Sequence, residues 1–305
     1  MRVIKVDAES RMSEPKSGRG QPPVLDLSLY FLPEGLASLT PTRVLDDAER
    51  RTLNQIRAAG YVHLFDLFET ALSVAVRERA HGDFQVAETL APLLRLDVFD
   101  HHEFFRSFEV AFANAFPVTP VYVTRTDDLS QTFAHASPLA LLVFALHLKL
   151  MTQQHYLACV RGDGQLEPHF VKLLKDHWTI ECGTPSGRER RVTSESLLGI
   201  QHALAHALPG RLPAALRDYR LIVFACDDVL RSQAELDADV FSAARGRTLT
   251  DVERSTVVAV EAAAYRKIFL TIGIVNAAFV YSTRSLGPTA PAMLAGIVSA
   301  LGQRT

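Results

Sequence analysis

Residues 61–76 read YVHLFDLFETALSVAV, and this stretch decides the fold. Val62, Phe65, Glu69, Leu72 and Val76 recur at steps of three and four, which places them on one face of an α-helix. Four of the five are apolar, so the face is a core face, and Glu69 sits in the middle of it. A carboxylate is almost never fully buried unless it is paired. The stretch therefore predicts a core helix opening near Asp46, and it marks Glu69 as a candidate functional residue.

The same period runs outward from there. A second helix is expected from about Phe84 to Phe116, with Leu94, Val98, His101, Phe105 and Phe108 in one stripe. The segment PVTPVYVTRTDDLSQ (117–131) breaks the pattern and reads as a long connection. A third helix from about Ser137 to Arg161 aligns Leu142, Ala145, Lys149, Thr152 and Tyr156. A fourth, from about Glu167 to Cys182, aligns Phe170, Leu173, His177 and Glu181. A fifth ends before Pro209-Gly210, and a sixth spans Pro213 to Ala244. The last is expected to run from Thr250, which forms a capping box with Glu253, towards Ser282. Strand-like alternation is rare, so the expected class is all-α, with at least seven helices.

Composition agrees with a globular chain. Its 305 residues are 48% hydrophobic and 22% charged, enough to bury a large core. The net charge of −2 gives no basic footprint for nucleic acid. Cys159, Cys182 and Cys226 form neither a disulfide framework nor a zinc motif, which fits a reducing, cytoplasmic setting. The most apolar run, Pro138 to Met151, is too short to span a bilayer and contains His147 and Lys149, so no membrane association is expected. Residues 1–24 read as a flexible tail and 25–305 as a single helical-bundle domain.

Four helices that direct Glu and His inward are the layout of a diiron carboxylate bundle, with one Glu from each of two helices and Glu-x-x-His from each of the other two. Here Glu69, His101, His177 and Glu181 occupy such positions, and Lys149 is the inward polar residue of the third helix. Val98 stands three residues before His101 and Thr184 three after Glu181, where the layout places Glu and His. Asp97 offers a carboxylate four residues before His101. His147, His155, His202 and His206 read as core or surface residues, and Cys182 as a small filler.

The stretches YVHLFDLFET, LHLKLMTQQHY, LLKDHWTIECGT and GRTLTDVER, with AYRKIFLTIG, resemble a family of bacterial ferritin-like proteins. More distantly they are similar to the p-aminobenzoate N-oxygenase group. The resemblance covers about residues 50–285. It implies a ferritin-like bundle with additional C-terminal helices and a seven-ligand site. Glu69, His101, His177 and Glu181 match that site as former or residual metal ligands, while Val98, Lys149 and Thr184 depart from it. Asn276-Ala277 stands where the family has His-Pro. With the set partly erased, the expected function is a non-redox binding or accessory protein without cofactor. The alternative is an oxidoreductase or oxygenase that uses a single iron or manganese, or no metal, with Lys149 as its catalytic candidate. The expected partner is a small molecule or a protein, and a homodimer is compatible.

Overall fold

The computed structural model describes residues 3–5, 23–37, 45–94, 99–124, 127–182, 188–207 and 209–303. Among them it holds twelve α-helices and one two-stranded sheet, the all-α architecture expected. The helices are α1 (Glu34–Ala37), α2 (Asp47–His81), α3 (Phe84–Leu94), α4 (Phe99–Ala115), α5 (Asp127–His135), α6 (Pro138–Gln154), α7 (Pro168–Cys182), α8 (Arg188–Ala205), α9 (Leu212–Ala244), α10 (Asp251–Arg266), α11 (Ala277–Thr283) and α12 (Ala290–Ser299).

Helix α2 packs on α4 and α6, and α7 packs on the same two, so these four close a ring with α2 diagonal to α7. Helix α9 covers α2 and α6 from outside, and α10 lies along α9. An 18-residue window of α2 is apolar enough to cross a membrane, with a mean hydropathy of 1.2, and 67% of that window is buried inside the fold. In this chain α2 is the central core helix.

Capping fixes where the long helices begin. Asp46 and Glu49 form a capping box at α2, the Glu49 N–H donating to Asp46 Oδ1 at 2.8 Å and the Asp46 N–H to Glu49 Oε2 at 3.1 Å. The expected Thr250–Glu253 box is present at α10. Arg245, the C-cap of α9 and 4% exposed, forms ion pairs with both box glutamates, Glu49 and Glu253. One guanidinium thus joins three helix ends. Ahead of α2, the Phe31 and Leu32 N–H groups donate to Asn54 Oδ1 at 2.8 and 3.0 Å, pinning the lead-in.

Three expectations change. The second helix is two, α3 and α4, with residues 95–98 between them outside the described part. The last helix does not run through to Ser282. It widens to a π-turn at Lys267–Thr271, breaks, and restarts at Ala277 with Asn276 as N-cap, its side chain accepting from the Ala278 N–H at 2.9 Å. Val3–Lys5, inside the stretch expected as a tail, pairs antiparallel with Val121–Val123 of the connection, Ile4 opposite Tyr122. The outer edge of the latter strand is closed by buried Gln233, which accepts from the Val123 N–H at 2.9 Å and donates to the Val121 carbonyl at 3.2 Å.

Helices α2 and α10 are tied by a fully buried ion pair, Arg57 with Glu261, in which Nε donates to Oε2 at 2.8 Å and Nη2 donates to Oε1. Beside it the Tyr265 hydroxyl donates to Asp237 Oδ2 at 2.5 Å, and Gln233 donates to Asp237 Oδ1 at 2.7 Å. Gly60 is the reason they fit, since a Cβ there would overlap the Tyr265 hydroxyl. Gly to Ala inside a helix ordinarily stabilises by about 0.5–1 kcal/mol. Here Gly60→Ala is expected to destabilise by about 1–3 kcal/mol through overpacking, read from chemical denaturation. Tyr265→Phe in the same chain should recover part of that loss, and an independent, additive cost would refute the steric account.

Candidate functional site

The α7 register is set at its first turn, where buried Glu167 accepts from the Phe170 N–H at 2.6 Å. From that start, Phe170, Leu173, Leu174 and His177 all turn inward and are buried. The His177 ring meets Phe65 of α2 edge-on, with centroids 4.5 Å apart and planes at 86°, and Phe105 of α4 at 5.0 Å and 79°. One turn beyond Phe65, Glu69 brings Oε1 to 3.7 Å from His177 Nε2. That separation is electrostatic contact rather than a short hydrogen bond. The pair spans the diagonal of the ring, with aromatic edges excluding water around the imidazole.

Two of the five sequence candidates, Glu69 and His177, are thus in contact. Lys149 lies on α6, where every residue from 139 to 152 is buried, and is itself 7% exposed. Its helix packs on both α2 and α7. His101 is on α4 and Glu181 is in the last turn of α7, while their side chains lie outside the described part. Asp97, Val98 and Thr184 also lie outside the described residues. The Trp178 ring stacks on Tyr156 at 4.9 Å, fixing α7 against the end of α6.

A polar chain that the sequence did not single out runs beside this pair. At His155–Val160 the end of α6 widens to a π-turn, the Arg161 N–H reaching the Tyr156 carbonyl at 2.8 Å. His155 sits in that turn, fully enclosed, with Nδ1 3.0 Å from the Tyr61 hydroxyl and Nε2 3.2 Å from the Ile268 carbonyl. A carbonyl only accepts, so Nε2 carries the proton and Nδ1 accepts from Tyr61. The Ile268 carbonyl belongs to the second π-turn. There the Ile272 N–H, which in an α-helix would bond Ile268, reaches Lys267 instead at 3.1 Å. Two widened turns therefore meet through one imidazole, a feature frequent at functional sites. The available signal was the polar run Gln153-Gln154-His155-Tyr156 closing an otherwise apolar helix.

Burial pushes the Tyr61 hydroxyl well above its usual range, and the Glu69 charge adds to this. Burial also lowers the pKa of His155 from 6.5 to about 3, opposed by the Ile268 carbonyl and reinforced by His177. His147 on α6 is likewise lowered to about 3 by burial, with Nδ1 2.9 Å from the Tyr219 hydroxyl. Gly273 lies against the His147 ring, where any Cβ would overlap it. Both histidines are core residues, one of the two placements that the sequence left open.

For metal chemistry the donors decide. Among the described residues, no three His, Cys, Asp or Glu side chains gather into a metal-binding group. A dinuclear centre needs several bridging and terminal carboxylates, and among the described side chains one carboxylate and one imidazole, Glu69 and His177, are in contact. Comparison with known proteins returns no matching family model, no matching curated protein and no matching solved structure.

His147 and His155 stay neutral in the fold but protonate in the unfolded chain once the pH drops below about 6.5. The unfolded state then binds more protons, so stability falls as pH falls from 6.5 towards 3, by roughly 1 kcal/mol per pH unit for each histidine. Denaturation between pH 7 and pH 4 should show this slope, and His147→Gln or His155→Gln should each flatten it. A slope unchanged in both variants would show that other groups carry the acid sensitivity.

Proposed function

We propose that this chain is a ferritin-type helical bundle in which the positions of a former dinuclear centre now hold compensated charge. On this reading it serves in the cytoplasm as a non-redox binding or accessory protein. The observation that supports the reading is the Glu69–His177 contact across the ring, walled by Phe65 and Phe105, with the buried cation Lys149 on a third helix. In low dielectric a carboxylate must take a proton or find a positive group. His177 in contact with Glu69, and Lys149 on a helix packed against α2, offer such groups from inside the protein, where a diiron bundle uses metal ions. The sequence adds Val98 and Thr184 at two further ligand positions, and neither is a metal donor.

A second reading is favoured by one distance. Ligands that share one ion at about 2.1 Å stand 3.7 Å apart, as Glu69 Oε1 and His177 Nε2 do, when they subtend an angle of roughly 120°. On this reading Glu69 and His177, together with His101 and Glu181, would hold a single iron or manganese, which would supply redox chemistry and make the chain an oxidoreductase. A metal-free oxidoreductase that uses Lys149 is the remaining form of this reading.

Two measurements separate these readings. Elemental analysis of purified protein is expected to give far less than one transition metal per chain, and anaerobic iron followed by oxygen should give no bridged diferric absorption. One stoichiometric iron or manganese would move the assignment to the second reading, and a diferric band at two irons per chain would overturn both. Lys149→Ala, which strips one side of a buried charge set, should cost about 3–5 kcal/mol, and Lys149→Glu more. An unchanged melting temperature in Lys149→Ala would end the charge-compensation argument.

A further inference from the structure

Helix α8 closes on the run His202-Ala203-Leu204-Ala205-His206, and its last helical residue is Ala205. The two histidines stand four residues apart, so they leave one face of the helix a single turn apart. Both are exposed, as is Ala205, while Leu204 turns inward. Their imidazoles lie against each other, with centroids 4.0 Å apart and planes at 29°. Two nitrogen heterocycles are thereby gathered at one point of the surface.

One hydrogen bond fixes which nitrogen is available. His206 Nδ1 lies 2.8 Å from the His202 carbonyl, which also accepts from the His206 backbone N–H at 3.1 Å. A carbonyl only accepts, so Nδ1 carries a proton and Nε2 of the neutral imidazole keeps its lone pair. A metal-ligating histidine has this arrangement, its second nitrogen tied to a carbonyl or carboxylate that orients it. His63 and His155 differ, since each places both ring nitrogens on protein partners. The local electrostatics also favour a cation. The negative end of the helix dipole falls on this last turn, and no Lys or Arg occurs between residues 192 and 210.

We infer that His202 and His206 form a surface chelate for one late first-row divalent ion, bound through one nitrogen of each imidazole. The stacked imidazoles spread to admit the ion, and water fills its other positions. Such a donor set suits copper(II), nickel(II) or zinc(II), with copper bound tightest in the series. Iron(II) and manganese(II) stand at its weak end, so occupancy here is separable from occupancy at Glu69 and His177. With two protein ligands the site is open and yields its ion to a chelator during purification. The inference does not rest on the reading of the four-helix ring.

Calorimetric titration of the chelator-treated full chain with copper(II) tests it. One ion per chain is expected in the tightest class, with nickel(II) and zinc(II) weaker and manganese(II) weakest. His202→Asn and His206→Asn should each weaken that class about a hundredfold, because the second imidazole binds intramolecularly. The double variant should lose little more than either single one. All three should melt as the metal-free wild type does, both side chains being exposed. Electron paramagnetic resonance of the copper-loaded chain should show two nitrogen ligands, falling to one in either single variant. Copper held equally by the wild type and both variants would overturn the inference. So would losses that simply add, the mark of two independent imidazoles, or one ion shared between two chains.

Discussion

The Arg57–Glu261 pair is the constraint on which the arrangement of helices rests. Two charges removed from water cost several kcal/mol each, repaid only when geometry and hydrogen bonds are complete. The bidentate contact supplies the geometry, and it can form only if α10 lies at one height and rotation against α2. Asp237 raises the stakes, since burial and then the Glu261 charge hold its carboxyl well above the usual range. One guanidinium faces two carboxylates and bonds only Glu261 directly. Tyr265 and Gln233 donate to the two oxygens of Asp237, and Gln233 also closes the strand edge, while Arg57 Nη1 is left without a hydrogen-bond partner among the described residues. The second layer of helices, the small sheet and the central helix are thereby fixed through one connected set of polar groups.

The glutamate–histidine contact is held differently. Its imidazole is gripped by the rings of Phe65 and Phe105, and its carboxylate is partly open, with the Glu69 side chain 12% exposed. The walls of this contact are hydrophobic, Phe65 and Phe105 both being buried.

Much of the fold was legible because helical periodicity and capping are local. Glu69 and His177 were found since each interrupts an apolar stripe, and the Thr250–Glu253 box was visible as a motif. The Asp46–Glu49 box carried the same signal and set the start of α2. What escaped the sequence is non-local. Arg57 meets Glu261 across 204 positions, and neither residue announces the other. The π-turns at His155 and Lys267 insert a residue into the 3.6 period, so a stripe drawn through them drifts, and for this reason the final helix read as longer than it is. The strand at Val3–Lys5 depends on a partner more than a hundred residues away, and three residues are too few to show alternation.

Arg245 carries a consequence of its own. Helix termini normally fray independently, each end opening its last amides to solvent exchange at its own rate. Here the first turns of α2 and α10 and the last turn of α9 share one guanidinium through Glu49 and Glu253. Opening any one of them withdraws a carboxylate or the cation from the other two. The three ends should therefore open as a single subglobal unit, their amide exchange rates moving together with pH and denaturant although two of them lie some two hundred residues apart in the chain.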